Sequence, residues 1–424
     1  MLELSHLQLT PSPELHGRPP IPLKAPASVF HLTIWFEEAF STKSMEHCAQ
    51  LCKALGASAP SNGRHHVFRY GAYIIKWECH TEFAAYSFVL ADQTQNNESL
   101  TDILPVGWLE QIESSITIAI QVNVHNGALS PEEVCRLAKS HSGSEVCAGS
   151  ATAWSNFKPN KKGVLEIDIY IRELCQFRSG RLVQRLLEII TYNHMALKSL
   201  AVARKVLQAT FQHEQDIEHI VSSMTAEAAS TQPQHSLNKL LELSTKIEEL
   251  SAASTFRLTA ATAYYSIVEQ RSEEIRERRI EGAQRLSNFY HRNSVPAVRS
   301  CQTASKRLRE LSERIERAAG LLRTQVDLDI QSQNKSLLTS MNRKARTQIR
   351  LQKTVEGLSV VAISYYSIGI LGVAMKALAP LGLPLAPGTA TGILSPIAIF
   401  AVYVLVKRTT LKAFDSTGRR QRNS

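Results

Sequence analysis

The pattern of hydrophobic and polar positions changes near residue 177. Before it, short runs rich in branched and aromatic residues alternate with turn-forming residues, which is typical of strands. These runs are residues 28–36, 65–80, 84–91, 115–124 and 164–171. Helical periodicity lies between some of them, at residues 42–55 and 131–139. This alternation predicts one α/β domain over residues 25–176, after an extended, proline-rich lead over residues 1–24.

Beyond residue 177, apolar residues recur every three or four positions, which predicts helices. We expect a helical region over residues 177–295, with one long helix at 237–292 and a break at Pro296. Residues 296–356 predict a further long helix that leads to the membrane. Its apolar stripe is Leu308, Leu311, Ile315, Ala318, Leu322, Val326, Ile330, Leu337, Met341 and Ile349. Such a stripe suits a helical bundle or a coiled coil, with the partner helix in the same chain or in a neighbouring subunit.

Two long apolar stretches follow, over residues 357–406. Residues 358–376 and 390–406 are predicted to form a hairpin of two transmembrane helices, separated by a turn rich in proline and glycine. A helix of about eighteen residues is roughly 27 Å long, which matches the hydrocarbon core of a bilayer. The alternative is a buried helical hairpin in a soluble core, which seldom runs so long without a charge.

The net charge of +10 is concentrated beside these two stretches. The flanking cations are Arg343, Lys344, Arg346, Arg350 and Lys353 before the first span, and Lys407, Arg408 and Lys412 in the basic tail, residues 407–424. Cations confined to the membrane borders indicate anionic lipid headgroups as the partner and argue against nucleic acid. By the positive-inside rule, we expect both flanks and both termini in the cytoplasm, with the short turn outside.

One face of the first predicted span carries small residues and two tyrosines. These residues are Ser359, Ala362, Tyr365, Tyr366, Gly369 and Gly372. Small residues allow close approach of membrane helices, and tyrosine hydroxyls can bond across the contact. We therefore expect a face for helix packing or a pore. The alternative is that the tyrosines are ordinary anchors at the headgroups.

Five segments resemble one known family. They are "ELHGRP" (14–19), "WECHTEF" (77–83), "RSGRLVQRLLEIITY" (178–192), "LLRTQVD" (321–327) and the long run 333–366 from "QNKSLLTSMN" to "VVAISYY". The chain is similar over nearly its whole length to the bacterial membrane-anchored family called domain of unknown function 3422. The resemblance implies the bacterial inner (plasma) membrane as the location, but it supplies no activity. The sequence departs from the family pattern at Cys79, where a basic or polar residue is expected.

A looser likeness concerns architecture alone. A cytoplasmic α/β domain, a very long helix, two C-terminal spans and a basic tail are similar to CorA-type magnesium channels, which are homopentamers. The Gly-Met-Asn signature of that family is absent, and "MKALAPLGLPLAPGTATG" stands in its place. The selectivity mechanism therefore cannot be carried over. The oligomeric layout remains an expectation.

Motifs of known enzyme chemistry are missing from the sequence. There is no phosphate loop, no dinucleotide fingerprint, no nucleophile elbow and no His-Glu-x-x-His pair. In "EHCAQLC", His47, Cys48 and Cys52 suggest either a soft-metal site or ordinary helix packing, and the missing second ligand pair favours packing. Seven cysteines, an odd number, suggest free thiols in a reducing compartment. We expect no catalytic residue, no metal and no cofactor.

Five polar residues of the family motifs have no evident role. Glu78, His80 and Glu82 alternate, so they predict either a carboxylate and imidazole patch or, the favoured interpretation, a solvated strand face. In that interpretation Trp77, Cys79 and Thr81 turn inward. His16 and Arg18 lie in the extended lead, which is expected to dock onto the domain or onto a partner.

Three hypotheses follow from these patterns. The first is a non-enzymatic, multi-pass inner-membrane protein whose cytoplasmic part is anchored by a C-terminal hairpin and forms a homo-oligomer. The second is a homo-oligomeric cation channel or transporter, built like the magnesium channels but with a different filter. The third, an enzyme that uses residues 78–82, has the least support. The ligand of the cytoplasmic part is unknown from the sequence.

Overall fold

Two compact units make up the chain, Met1–Gly320 and Leu321–Ser424. The computed structural model describes residues 19–35, 40–61, 64–90, 100–112, 115–226, 233–378 and 387–420. Within these residues the chain has an N-terminal sheet domain, long helices and two apolar helices near the C-terminus. This agrees with the predicted architecture of sheet first, helices next and apolar hairpin last.

The N-terminal unit is built on one mixed sheet. Its strands are β1 (Ala27–Trp35), β2 (His65–Tyr70), β3 (Tyr73–Cys79), β4 (Phe83–Leu90), β5 (Ile116–Asn126), β6 (Ser142–Val146), β7 (Ala151–Ser155), β8 (Val164–Ile171) and β9 (Arg278–Arg279). The strand order is β2-β3-β4-β1-β5-β8-β7-β6-β9. The pairing of β5 with β8 is parallel, and the other pairs of strands are antiparallel.

Seven helices accompany this sheet in the described residues. They are α1 (Phe40–Ala54), α2 (Leu100–Ile103), α3 (Pro131–Ala138), α4 (Gln176–Ala226), α5 (Pro233–Glu274), α6 (Leu286–Leu378) and α7 (Pro387–Arg420). The short helix α3 begins with a full capping box, in which Ser130 and Glu133 each bond the other's backbone N–H. The prediction of a helix at residues 131–139 is therefore confirmed.

Each face of the sheet buries a separate apolar cluster. On one face, Leu51 of α1 packs with Trp77, Tyr86, Phe88 and Trp108. On the other face, residues of α4 such as Leu182, Leu186 and Ile190 pack against β5 and β8. A third cluster, which includes Ala203 and Leu308, joins the helices α4, α5 and α6 within the N-terminal unit. The sheet is thus covered on both sides, which explains why β3, β4 and β7 are buried along nearly their whole length.

Packing between strands β6 and β7 requires glycine at position 143. Trp154 in β7 is fully buried, and Gly143 lies opposite it in β6. A Cβ atom at residue 143 would lie 2.2 Å from the Trp154 ring. The indole therefore occupies the space that any other residue at position 143 would need.

Most strands predicted from alternation are confirmed, but the sheet is larger than expected. The run at residues 65–80 is a hairpin of two strands, β2 and β3. The strands β6, β7 and β9 were not predicted. Because β9 follows α5, the sheet includes residues from the predicted helical region, and the boundary at residue 176 lies inside one compact unit.

The predicted break at Pro296 is wrong, and so is the single helix predicted at residues 237–292, because α5 ends at Glu274 and the interruption before α6 lies at residues 275–285. Helix α6 begins at Leu286 and runs through Pro296 without a break. The neighbours Ser294, Ala297 and Val298 are buried, so packing on this side holds the helical backbone where proline removes a hydrogen-bond donor. The long helix therefore starts about ten residues earlier than expected and has 93 residues.

The C-terminal unit contains both predicted spans. Residues 358–376 lie inside α6, and residues 390–406 lie inside α7. The turn that the sequence predicts between them, at residues 379–386, lies outside the described residues. Helix α7 continues to Arg420, so most of the basic tail is helical.

Candidate functional site

The candidate site is a cleft between the sheet and helix α4. Strands β1, β3 and β4 form one wall, and α4 forms the other. In the sheet wall, His31, Ser87 and Lys76 are direct neighbours across three strands, and they form a polar row. The next row along the strands is apolar and contains Val29 and Val89. The cleft is therefore polar at one level and apolar at the next.

The charge of Lys76 is balanced inside the cleft. Its Nζ lies 3.0 Å from Glu78 Oε1, and its side chain is only 4% exposed. The same ammonium donates to the Pro19 carbonyl oxygen at 3.4 Å. A buried lysine needs such partners because an unpaired charge in a protein interior is costly. In "YIIKWECH", a lone lysine within an apolar strand was the sequence signal for this site, which the sequence analysis missed.

His31 is held uncharged at the centre of the polar row. Its Nδ1 lies 2.9 Å from Ser87 Oγ, and its Nε2 lies 3.4 Å from the hydroxyl oxygens of Thr33 and Thr191. Burial, and then the nearby Lys76 ammonium, lower the pKa of His31 from 6.5 to about 3. The imidazole is thus neutral at physiological pH, and all its visible contacts are to uncharged hydroxyls.

The helix wall contributes a second balanced charge. Glu188 of α4 accepts hydrogen bonds from Gln184 Nε2 at 2.7 Å and from Arg271 Nε of α5. Arg271 also bonds Glu274 at 2.8 Å. Glu188 is the only acid in "RLVQRLLEIITY", and this lone acid was the available sequence signal for an internal partner. Each carboxylate that lines the cleft therefore has its own cation.

A short segment crosses the edge of the cleft and is named the strap (residues 19–25). Leu23 N donates to the Gln176 carbonyl oxygen at 2.9 Å, and Asn126 Nδ2 donates to the Ala25 carbonyl oxygen at 3.0 Å. A Cβ atom at Gly180 would lie 2.0 Å from the Ile21 carbonyl oxygen. Only glycine at position 180 lets the strap lie directly on α4. The strap is the described part of the lead; His16 and Arg18 lie outside the described residues.

Glu82 forms a buried ion pair rather than part of a solvated face. Its carboxylate accepts two hydrogen bonds of 2.6 Å from Arg257 NH1 of α5, and it also accepts one from the Tyr264 hydroxyl. Arg257 NH2 donates to the Met195 carbonyl oxygen at 2.8 Å. Burial and the Glu82 carboxylate raise the pKa of Tyr264, which keeps its hydroxyl as a donor. This network joins the β3–β4 turn to both α4 and α5.

The favoured interpretation of residues 78–82 as one solvated strand face is therefore wrong. Strand β3 ends at Cys79, and residues 80–82 form the turn into β4. The alternation stops there, so Thr81 is exposed and Glu82 is buried. Trp77 and Cys79 are buried as expected. Glu78 lines the cleft, whereas Glu82 belongs to the ion pair with Arg257.

His80 bridges the cleft and the ion pair. Its Nδ1 lies 3.2 Å from the Tyr192 hydroxyl, and its ring stacks on Phe83 with centroids 4.3 Å apart. Tyr192 in turn stacks on Tyr264 at 5.6 Å. The aromatic side chains thus connect the cleft to the residues around Glu82. His80 was predicted from the sequence to belong to the group of residues 78–82, but its contacts with Phe83 and Tyr192 were not predicted.

His47, Cys48 and Cys52 pack in the core, as the sequence analysis favoured. His47 Nδ1 lies 2.9 Å from the Tyr86 hydroxyl, and its Nε2 lies 3.2 Å from the Trp108 carbonyl oxygen. Burial raises the pKa values of both thiols, which makes them poor metal ligands and poor nucleophiles. Among the described residues, no group of three or more His, Cys, Asp or Glu side chains is placed to hold a metal ion.

In the C-terminal unit, the predicted face with Tyr365 and Tyr366 is turned outward. Both tyrosines are at least 70% exposed, and a Cβ at Gly369 would meet nothing within 4 Å. Gly372 is the member of this face next to α7, since its added Cβ would lie 3.8 Å from Thr391. Within one chain, the tyrosines therefore do not pack on α7. Ser359 is half-buried and Ala362 is exposed.

The basic residues beside the first span are all exposed. Arg343, Lys344, Arg346, Arg350 and Lys353 are exposed on α6, and Lys407 and Arg408 are exposed on α7. Lys407 Nζ lies 5.7 Å from the centre of the Tyr403 ring. Lys412 lies within α7. The five cations of α6 therefore face the surroundings of the helix.

Removing one partner of the buried ion pair of Glu82 and Arg257 is expected to destabilise the N-terminal unit strongly. The substitution Glu82→Gln leaves a buried guanidinium without its countercharge, so we expect the unfolding free energy to fall by about 3–5 kcal/mol. The four tryptophans all lie in the N-terminal unit, so tryptophan fluorescence in urea measures its unfolding.

The matched control for this prediction is the exposed pair Lys246 and Glu242, whose Nζ–Oε1 distance is 2.7 Å. Glu242→Gln is expected to leave the unfolding free energy nearly unchanged, because solvent screens this exposed pair. The double variant Glu82→Gln/Arg257→Met is expected to recover part of the loss, because both charges are then gone. Equal effects of Glu82→Gln and Glu242→Gln would contradict the analysis.

His31 is expected to make the N-terminal unit less stable in acid. Its folded pKa is lowered to about 3, so its stabilising effect is complete above pH 6.5 and is lost as the pH falls towards 3. Between pH 6.5 and about 3, protonation of His31 in the unfolded chain lowers the free energy of unfolding by about 1.4 kcal/mol per pH unit. Urea unfolding at several pH values should therefore show a shallower pH dependence in His31→Gln. The same substitution at exposed His235 serves as the control, and an unchanged slope in His31→Gln would refute the assignment.

Comparison with known proteins places the chain in a family. A family model described as protein of unknown function, DUF3422, matches residues 9–412. No curated protein and no solved structure matches the chain. The likeness to CorA-type channels therefore has no support, whereas the resemblance based on the five sequence segments is confirmed. The chain belongs to the DUF3422 family of proteins of unknown function.

Proposed function

We propose that the protein is an integral membrane protein of the bacterial inner membrane, anchored by the apolar parts of α6 and α7. One observation carries this proposal. Each helix has an 18-residue window that is apolar enough to cross a bilayer, and only 6% of each window is buried. The core helix of a soluble protein would be mostly buried. Two long helices that leave their apolar residues exposed are instead suited to lipid as the surrounding solvent.

The cationic flanks support one orientation of the two helices. The exposed cations of α6 precede the predicted span 358–376, and Lys407 and Arg408 are the last two residues of the apolar window of α7. Cations on both outer ends favour both ends on the cytoplasmic side, where the leaflet carries anionic headgroups. In this orientation the sheet domain is cytoplasmic, and both chain termini lie on the same side of the membrane.

A second copy of the chain is the proposed partner of helix α6. Leu308, Leu311 and Ile315, in the first part of its apolar stripe, are buried in the N-terminal unit. Further along, Leu337 and Met341 are exposed by more than 60%. Since the same stripe continues into the apolar window, parallel copies in one membrane bring these side chains together. We therefore propose a homo-oligomer.

The protein is proposed to act without catalysing a reaction. Its cleft places two histidines, a lysine and two carboxylates near one another, but the lysine and both carboxylates are paired, His31 is held neutral, and His80 bonds the Tyr192 hydroxyl. A general acid or base needs a group that can exchange a proton near neutral pH. The cation channel remains the second candidate from the sequence, and its discriminating property is ion flux.

Membrane anchoring predicts that the full chain resists extraction by alkaline carbonate. A lysine at the centre of each span, in the double variant Ile370→Lys/Ile397→Lys, is expected to raise the extractable fraction, since each charge costs about 2.5–3.5 kcal/mol in the bilayer centre. Leu328→Lys is the control, because Leu328 is equally apolar and exposed but precedes the span. A wild-type chain that stays monodisperse in buffer without detergent would refute the anchor.

Self-association predicts a mass several times 47.1 kDa for the detergent-solubilised protein, measured by light scattering. The variant Leu337→Glu/Met341→Glu is expected to lower this mass, because like charges would face one another at the contact. Thr339→Glu, on the opposite side of the helix, is expected to leave the mass unchanged.

A monomeric wild type would contradict the homo-oligomer. A pentamer whose proteoliposomes carry cation flux that is lost on substitution of Tyr365 or Gly369 would favour the channel over the anchor.

A further inference from the structure

The cleft between the sheet and α4 has features of a ligand-binding site that membrane anchoring does not need. About 60 Å³ of its interior is open to the centre of a water-sized sphere. On this measure one water molecule needs roughly 10–15 Å³, so the enclosed part has room for about four to six non-hydrogen atoms, and the rest of a small organic molecule lies in the open side of the cleft. It lies wholly within the N-terminal unit, between β1, β3, β4 and α4.

The balance of charges in the cleft defines the net charge of its ligand. Lys76 is paired with Glu78 at 3.0 Å, and Glu188 is paired with Arg271. The two histidines of the lining, His31 and His80, bond hydroxyl groups, and His31 is held neutral. A cationic or anionic ligand would therefore lose its hydration without gaining an unpaired countercharge. The electrostatics favour an uncharged molecule.

One lining group retains unused hydrogen-bonding capacity. Gln184 Nε2 donates to Glu188 Oε1 at 2.7 Å, which fixes the orientation of the amide because two oxygens would repel. Gln184 Oε1 is buried and has no hydrogen-bond partner among the described residues. An unsatisfied buried acceptor costs about 1–3 kcal/mol, which a ligand that carries an O–H or N–H donor would recover.

The remaining surface of the cleft is apolar. Val29 and Val89 form a row in the sheet wall, and Val183 and Leu187 face them from α4. Ile21 of the strap lines the same space. A pocket that combines an apolar lining with a few convergent polar groups is typical of small-molecule sites. The apolar lining suits a ligand with an apolar body, and the polar groups suit one polar group at the end of that body.

We propose that the cleft binds a small uncharged amphiphile with a compact apolar body of about six carbons and one hydroxyl or amide N–H donor. The donor bonds Gln184 Oε1, and the apolar body lies between Val89 and Leu187. The strap borders the site through Ile21 and Leu23. This inference does not depend on membrane anchoring or on the oligomeric state.

The test uses three molecules of one size and different charge. Cyclohexanol is uncharged, cyclohexylamine is a cation at pH 7, and cyclohexanecarboxylate is an anion. Saturation-transfer NMR with the purified full chain in detergent, and with protein-free micelles as the blank, measures the binding of each. We expect binding of cyclohexanol at millimolar concentration and at least about tenfold weaker binding of both ions.

Two variants locate the binding in the cleft. Val89→Phe fills the apolar part and should abolish the cyclohexanol signal. Gln184→Leu removes the acceptor at a partly exposed position that tolerates the change, and it should weaken binding about fivefold or more. Val67→Phe is the control, since Val67 is 42% exposed in the same sheet and does not line the cleft. Tryptophan fluorescence confirms that each variant is folded.

Three results would overturn the proposal. Absence of cyclohexanol binding to the wild type would show that the cleft takes no such ligand. Equal or tighter binding of either ion would refute the charge argument. Cyclohexanol binding that is unchanged in both Val89→Phe and Gln184→Leu would place the ligand elsewhere on the protein.

Discussion

The contact between sheet and helices in the N-terminal unit depends on one buried ion pair. Glu82 and Arg257 are both more than nine-tenths buried and lie 2.6 Å apart. Because the loss of hydration offsets much of the attraction, such a pair adds little net stability, but separating it leaves two uncompensated charges inside the protein. Any other placement of the β3–β4 turn on α5 therefore costs several kcal/mol. His80 lies in this turn and Phe83 follows it, so the ion pair also fixes the position of these aromatic side chains at the edge of the cleft.

The two units distribute their polar groups in opposite ways. In the N-terminal unit, charged side chains such as Lys76 and Glu188 are internal and individually paired, and the apolar clusters are covered. In the C-terminal unit, the apolar residues are outside, and the cations stand beside them. A chain in water buries its apolar surface, whereas a chain in lipid exposes it. This contrast is the physical basis of the proposal that water surrounds the N-terminal unit and that lipid surrounds the apolar helices of the C-terminal unit.

Local patterns in the sequence predicted the local structure well. Alternation located β1, β4, β5 and β8, and the lack of charge located both apolar windows. The small-residue strands β6 and β7, "SGSEV" and "ATAWS", have few branched residues and become strands only because Trp154 and its neighbours bury them. The site was less predictable. Glu82 and Arg257 are 175 residues apart, and no local period relates them. The available signal was a lone charge in an apolar segment for Lys76 and Arg257, and a lone acid for Glu188.

The strap borders the cleft but is not part of the sheet or of the helices that form the core. It is fixed by Leu23, by two side-chain bonds at its ends and by close contact with Gly180, and it belongs to no strand or helix. Detaching such a segment exposes far less apolar surface than opening the sheet, so its local opening free energy lies well below that of global unfolding. Three prolines in the strap lower its entropy when it is detached, which favours reclosure in the same place. The strap can therefore detach and widen access to the cleft while the sheet and the helices stay folded.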